Sequence, residues 1–287
     1  MSVLKVAALQ MRSGTDPLAN ARTFEAMVRE AAASGARYVQ SPEMTGGLVR
    51  DREALRSILR SENDDIIART ASELAAELGI AIHVGSMAIA LDGGKVANRA
   101  FLFAPDGSLV TTYDKIHMFD VDLDNGESWR ESATYQPGGR AVVATLDDTR
   151  FGLAVCYDLR FPQLFRTQAL AGAEVLTVPA AFTRQTGEAH WHVLLRARAI
   201  ENGAFVIAAA QGGRHEDGRE TFGHSMVVDP WGRILAEADH DEPAVVIAEI
   251  DTAASASARR KVPNLRNARE FVLDEVALEV PARRAAS

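Results

Sequence analysis

One cysteine stands in the whole 287-residue chain. With no second thiol an internal disulfide is excluded, and a lone free thiol survives best in a reducing compartment, which points to the cytosol. Aromatic residues are scarce, at 6% of the chain, so the core must be built from Ala, Val and Leu, the side chains of tightly packed sheet and helix layers. No apolar run of eighteen or more residues is unbroken by charge, which leaves no candidate bilayer span, and the opening Val3–Leu9 segment is too short for a signal peptide. A cytoplasmic chain with no membrane partner is the expectation. Lys and Arg number 31 against 39 Asp and Glu, a formal charge of -8, and so acidic a chain is a poor match for nucleic acid. No strand-like run leads into a dinucleotide glycine fingerprint or a phosphate-cradling lysine loop, so no cofactor is expected. No linker rich in Pro, Gly or Ser divides the sequence. The reading is one domain over residues 1–275 and a flexible tail over 276–287, with Ala253–Arg260 also tail-like.

What is present is an alternation of short β-branched runs with longer helical patterns, the signature of a layered α/β domain. Val3–Leu9 reads as a buried strand, and Asp16-Pro17 starts a helix that Gly35 stops. A second strand (Arg37–Ser41), a second helix (Asp64–Leu78) and a third strand (Ile80–Gly85) repeat the unit. Val96–Phe103 and Leu109–Tyr113 flank Pro105-Asp106-Gly107 as a hairpin. Phe151–Val155 leads through Cys156 into a helix over Phe161–Ala171. Then come a strand (Glu174–Val178), a helix (Glu188–Glu201), a strand (Phe205–Ala210), a hairpin about Asp229–Gly232 and a last strand, Val245–Ile250.

Cys156 therefore sits where a buried strand turns into a helix, the place open α/β sheets offer to ligands. Backbone N–H groups and a helix dipole there are expected to lower its pKa; the plainer role is that of a small buried hydrophobe. A thiol that attacks a carbonyl needs a base and donors for the developing oxyanion. Glu43 ends the strand Arg37–Ser41, and Lys115 ends Leu109–Tyr113. Either could be an ordinary surface charge. An acid, a lysine and a thiol that each follow a different strand would nevertheless meet at one sheet edge if the sheet aligns those strands.

Ser41-Pro42-Glu43, Tyr113-Asp114-Lys115-Ile116-His117-Met118-Phe119 and Cys156-Tyr157-Asp158-Leu159-Arg160-Phe161-Pro162 resemble the three signatures of the nitrilase superfamily. The likeness continues through Gly187-Glu188-Ala189-His190-Trp191, Leu195–Glu201 and Gly223–Gly232, and is closest to the Nit branch, whose members are amidases. The resemblance implies a four-layer αββα sandwich, a homodimer or larger homo-oligomer, and a carbon-nitrogen hydrolase with Glu43, Lys115 and Cys156 as its catalytic set. It makes Glu131, rather than Glu127, the second glutamate that orients Lys115. Gly213-Arg214-His215-Glu216 with Thr221-Phe222-Gly223-His224 is more similar to the amidases of deaminated glutathione than to the omega-amidases of 2-oxoglutaramate. Glu188 and His192 depart from the usual pattern, where proline and an acid are common.

The mechanism so implied has Glu43 taking the Cys156 proton, Lys115 and the Tyr157 backbone N–H holding the oxyanion, and a thioester hydrolysed by a water that Glu43 activates. A partly desolvated Glu43 is expected to titrate above an ordinary glutamate, and a neutral replacement of Lys115 to abolish activity without unfolding the chain. A small acidic amide needs a cation in the pocket. Arg160 is the first candidate, against a salt bridge to Asp158 or Glu174, and Arg184 and Arg214 are lesser ones. His190, His192, His215 and His224 match no zinc spacing, so no metal is expected. His117 reads as a loop hydrogen-bonder rather than a base. Alternatives are an omega-amidase, another aliphatic amidase or N-carbamoyl hydrolase, and, from outside enzymes, a non-catalytic scaffold.

Overall fold

In the computed structural model residues 3–123 and 126–276 are described. The first half runs β1 (Val3–Gln10), α1 (Pro17–Ala33), β2 (Tyr38–Gln40), α2 (Arg52–Ile58), α3 (Ile66–Leu78), β3 (Ala81–Ala90), β4 (Val96–Phe103), β5 (Leu109–Asp114), β6 (Asp120–Asp122) and β7 (Ser128–Arg130). The second runs β8 (Val142–Leu146), β9 (Thr149–Leu153), α4 (Pro162–Leu170), β10 (Val175–Thr177), α5 (Arg184–Asn202), β11 (Phe205–Ala208), β12 (Gly212–Arg214), β13 (Glu220–Phe222), β14 (Met226–Val228), β15 (Ile234–Glu237), β16 (Ala244–Asp251) and α6 (Ala253–Lys261).

Two six-stranded sheets result, ordered β16-β1-β2-β3-β4-β5 and β15-β14-β11-β10-β9-β8. Each has a parallel trio, β1-β2-β3 in one and β9-β10-β11 in the other, extended on both sides by antiparallel strands. Strand periodicity sorts the side chains. In β1, Val6 and Ala8 enter the core between the sheets, while Ala7 and Leu9 enter the core under α1 and α3. In β4, Ala100 and Leu102 take the first direction, Phe101 and Phe103 the second. Tyr38 of the first sheet stacks on Phe151 of the second with ring centres 4.6 Å apart. Trp191, Leu195 and Ala199 of α5 pack on the second sheet's outer face. The order is helix, sheet, sheet, helix: the αββα sandwich.

Local chemistry explains the boundaries. The Asp16 carboxylate accepts from the Leu18 N–H at 2.9 Å with Pro17 at the first helical position. Asp65 caps α3, and Gly79 ends it in the left-handed region at φ 63°. Two expectations are corrected. The helix placed at Glu188 begins at Arg184, because Gly187 is no break: its missing Cβ makes room for Phe222, which that atom would meet at 2.3 Å. Ala253–Arg260 is not a tail but helix α6, pinned where Ser255 Oγ donates to the Gly203 carbonyl at 2.5 Å and Arg259 Nε to Asn202 at 3.1 Å. The tail placed at 276–287 lies, Val276 apart, outside the described residues. No helix among the described residues is long and apolar enough to cross a membrane.

Gly85 of β3 holds the two site-bearing loops together. A Cβ there would lie 2.1 Å from the Ser41 carbonyl oxygen, 2.4 Å from Pro179 Cβ and 2.6 Å from the Pro42 carbonyl oxygen. Those neighbours precede Glu43 and accept the Cys156 N–H, which reaches Pro179 O at 2.8 Å. Gly85→Ala should therefore cost at least the roughly 1–3 kcal/mol of an overpacked core. Urea unfolding of the variant within 0.5 kcal/mol of wild type, a size typical of harmless surface changes of about ±0.5 kcal/mol, would contradict this close packing.

Candidate active site

Cys156 is the residue at which β9 turns into the short 3₁₀ helix Cys156–Arg160. Its φ of 51° is in the left-handed region, where a residue with a Cβ is strained by about 1–3 kcal/mol and persists only when its surroundings hold it. Asp158 does the holding. It is fully buried, and its carboxylate accepts from the Val155 N–H at 2.9 Å, the Tyr113 hydroxyl at 2.7 Å and the His117 N–H at 3.1 Å. The Cys156 turn of the second sheet is thereby tied to the end of β5 in the first. His117 Nδ1 also meets Asp158 at 2.6 Å and its ring stacks on Phe161 at 3.5 Å, the loop-bonding place expected of it.

Glu43, Lys115 and Cys156 are gathered, but not along one sheet edge: Glu43 and Lys115 follow β2 and β5 of the first sheet, Cys156 follows β9 of the second, and they meet across the sandwich. Glu43 Oε1 accepts from Lys115 Nζ at 2.9 Å and from Asn98 Nδ2 at 2.9 Å; Oε2 accepts from the Ala181 N–H at 3.0 Å. Lys115 Nζ also donates to both oxygens of Glu131, at 3.0 and 2.9 Å. Glu131 is fixed in turn by Asn98 Nδ2 at 3.0 Å and the Phe119 N–H at 2.6 Å. The Lys115 side chain is 2% exposed, Glu43 6% and Glu131 12%. Asn98 was missed in the sequence, although it lies in phase with the inward-facing Ala100 and Leu102 of β4.

Titration directions correct two expectations. Burial alone would raise Glu43, but the Lys115 ammonium and hydrogen bonds from Cys156, Lys115 and Asn98 outweigh it and hold the carboxyl below the usual range. Cys156 is raised, not lowered: burial pushes the thiol up, and the Glu43 charge with which it hydrogen-bonds adds to this. The resting pair is thus a carboxylate beside a neutral thiol. Burial opposes the Lys115 charge too, yet Glu131 and Glu43 together keep it well above an ordinary lysine.

These groups floor a cavity of about 280 Å³. Phe119 and Trp129, with ring centres 6.4 Å apart, and Tyr157, 5.1 Å from Phe119, form an aromatic wall. Arg160 lines the cavity as expected, paired with neither Asp158 nor Glu174. Its guanidinium carbon lies 5.3 Å from the Phe182 ring centre and 5.9 Å from that of Tyr157, with Nη1 3.2 Å from His190 Nδ1. Arg184 and Arg214 are not brought in. Arg184 is on the outer surface in ion pairs with Glu188 at 3.2 Å and Asp241 at 3.8 Å, because α5 starts four residues earlier than its pattern suggests. Arg214 is exposed on β12 and outside the cavity lining. Arg219, between β12 and β13, takes that place instead, with its guanidinium carbon 4.3 Å from the Trp129 ring centre. An Asp217-Gly218 turn just before it was the available signal.

The histidines do form one group that spacing did not reveal. His192 of α5, His224 and Glu237 of β15 place one ligating atom each within 4.8 Å of one another; His192 Nε2 is 2.5 Å and His224 Nδ1 3.3 Å from Glu237 Oε1. None of them lines the Cys156 cavity. Such a trio can hold a metal or act as a hydrogen-bonded relay.

Residues 5–260 match the family described as carbon-nitrogen hydrolase, and the chain belongs to it. It is an amide-cleaving hydrolase of the nitrilase-type fold. The chain is 41% identical over 272 residues to a protein of Yersinia enterocolitica named deaminated glutathione amidase, covering 94% of each chain. The human protein of that name is 38% identical over 273 residues, 92% of this chain and 82% of that one. Among solved structures, the Caenorhabditis elegans NitFhit protein superposes with a TM-score of 0.86 at 30% identity, over 94% of this chain and 66% of that one. Saccharomyces cerevisiae Nit3, described as a member of branch 10 of the nitrilase superfamily, gives 0.82 at 28% identity, over 91% and 94%.

The geometry adds a cost in stability to the expected loss of activity when Lys115 is neutralised. Lys115→Met leaves Glu43 and Glu131 facing each other in burial, a loss of the order of 3–5 kcal/mol at neutral pH. The deficit has a pH sign. In wild type, Glu43's lowered pKa stabilises above the ordinary glutamate range and is lost on acidification; in the variant the two carboxyls are raised, so their penalty fades on acidification. Urea unfolding should show a gap that is widest near pH 7 and narrows towards pH 4. A gap equal at both would count against the network.

Proposed function

We propose that this chain hydrolyses deaminated glutathione, cleaving the amide between its acyl part and the remaining dipeptide, with Cys156 as nucleophile. The observation that carries this is that Cys156 shares the floor of one cavity with Glu43, itself held by Lys115, and that arginines enter that cavity. Names of relatives support the substrate: those at 41% and 38% identity are called deaminated glutathione amidase.

In this reading Glu43 takes the thiol proton as the sulfur attacks the amide carbon. Because the carboxyl is lowered and the thiol raised, a free thiolate is not the resting nucleophile, and proton transfer accompanies bond formation. The charge that appears on the carbonyl oxygen is met by Lys115 Nζ and the Tyr157 N–H, in the first turn of its 3₁₀ helix where N–H groups lack intrahelical acceptors. Glu43 then delivers the proton to the departing amine, leaving a thioester. A water gives its proton to Glu43 and attacks the thioester carbon. The carboxylic product departs, and the sulfur recovers its proton. Glu131 orients Lys115, and Arg160, with no carboxylate partner among the described residues, binds a substrate carboxylate.

Substrate choice is tested by turnover of deaminated glutathione against 2-oxoglutaramate, succinamate and N-carbamoyl amino acids. The first should have the highest kcat/KM, and preference for any other would replace the assignment. Mass spectrometry should find an acyl adduct on wild type and none on Cys156→Ala, whose turnover should fall to background; activity surviving in that variant would remove the thioester.

We further propose a cytoplasmic homodimer. Val193 and Ile200, one heptad apart on α5, are 68% and 52% exposed, and Trp231, in the turn that Ile200 packs against at Gly232, is 51% exposed, apolar side chains of the kind that a second copy covers. Val193→Glu with Ile200→Glu should shift the sedimentation coefficient to that of a monomer. A wild type that sediments as a monomer would dispose of the dimer.

A further inference from the structure

Besides Lys115 on its floor and Arg52 and Arg130 in its lining, the cavity has arginines against its aromatic wall in two separate places. Arg160 stands beside Tyr157 and Phe182. Arg50 and Arg219 stand at the other end of the aromatic wall, both against the Trp129 indole, with guanidinium carbons 4.8 and 4.3 Å from its centre. Phe119 lies between the two ends, 6.4 Å from Trp129 and 5.1 Å from Tyr157.

Arg219 is the unusual member. Its side chain is 17% exposed, and its buried Nε has no hydrogen-bond partner. The carboxylate of Asp217, 7% exposed, is 3.8 Å away, too far for a hydrogen bond, and its Oδ2 is likewise unpartnered. A second cation, Arg50, shares the same ring. Burial lowers the Arg219 pKa, and the Arg50 charge adds to that. A guanidinium has five donors in a planar fork, and leaving them unused in a mostly buried site is costly unless a ligand takes them. Stacking on Trp129 fixes the plane while leaving the fork free, the arrangement that suits bidentate capture of a carboxylate.

We infer that Arg219, with Arg50, forms a second anion subsite on Trp129 that binds the carboxylate of the substrate's leaving amine, while Arg160 holds the acyl-side carboxylate. This rests on the proposed amidase reading and adds to it a requirement for a dianionic substrate, with one carboxylate on each side of the scissile bond. The assignment of sides follows from neighbours. Arg160 lies over the ring of Tyr157, the residue after Cys156, on the sulfur side to which the acyl group becomes attached. Arg219 lies on Trp129, across Phe119 from Tyr157, on the side away from the sulfur where the departing amine must lie. A deaminated glutathione fits both, since it ends in a carboxylate at either extremity.

The test compares two substrates that differ only at the leaving end: deaminated glutathione and the same compound with its C-terminal carboxylate replaced by a carboxamide. Wild type should favour the carboxylate by about tenfold or more in kcat/KM, the size of a charged hydrogen bond. Arg219→Gln should erase most of that ratio through KM, and Arg219→Lys should restore part of it. A ratio unchanged in Arg219→Gln, with the two substrates losing equally or not at all, would overturn the subsite. Should wild type turn over neither compound, the substrate reading fails by itself. The subsite is then judged by calorimetric titration of cysteinylglycine and its carboxamide into wild type and Arg219→Gln. Binding of the carboxylate form that depends on Arg219 supports it, and equal binding of the two forms by wild type rejects it.

Discussion

The Lys115 ammonium, 2% exposed and within 2.9 Å of two carboxylates, is the interaction on which the rest of the site depends. A buried lysine alone would shed its proton, and two buried carboxylates alone would take one up. Together they fix each other's charge. Asn98 shares its amide between Glu43 and Glu131 at 2.9 and 3.0 Å, so neither acid can move without loosening the other. The consequence is a Glu43 kept ionised yet motionless next to a thiol that burial and that same charge keep neutral.

That arrangement needs both sheets. Glu43 and Lys115 leave the first sheet and Cys156 the second, so the inter-sheet core also sets the distance between the carboxylate and the thiol. Asp158 is the fastener, joining the Cys156 turn to Tyr113 and His117 at the end of β5. Gly85 lets the Glu43 loop and Pro179 approach to a separation no side chain would allow. Of the four non-glycine residues with positive φ among the described residues, Cys156 and Met44, next to Glu43, lie on the two sides of this gap, and Asp147 and His224 lie elsewhere.

Much of this was legible in the sequence. Alternating strands and helices, a capped Asp16-Pro17 start and glycine stops are local signals, and they mark most of the elements. The three reactive residues follow strands in recognisable motifs, so their convergence could be expected. What was not legible depends on surroundings several strands away. The pKa directions of Glu43 and Cys156 follow from a four-group network, of which a sequence displays the members but not the distances. Ala253–Arg260 is weakly apolar and looks unstructured, and becomes a helix because Gly203, Asn202 and Ala173 offer carbonyls to Ser255 and Arg259. The arginines were the hardest. Arg184, Arg214 and Arg219 all occur in polar stretches of α5 or the β12–β13 hairpin, and only the fold decides which one meets an indole.

Charge balance connects these points to the substrate. Two glutamates around one lysine give the cavity floor a formal charge of one negative, in a chain already at -8. An anionic amide approaching such a floor would be repelled unless the walls compensated. Arg160 and the Arg50–Arg219 pair supply that compensation, each held against an aromatic face rather than locked into a short salt bridge. The difference matters. A carboxylate partner would satisfy the fork and cancel the charge, whereas an aromatic face steadies the cation and leaves both available. The scarcity of aromatic residues in the chain makes their concentration here informative: Trp129, Tyr157 and Phe182 orient guanidinium groups around the cavity floor, and Phe119 joins Trp129 to Tyr157 in one wall.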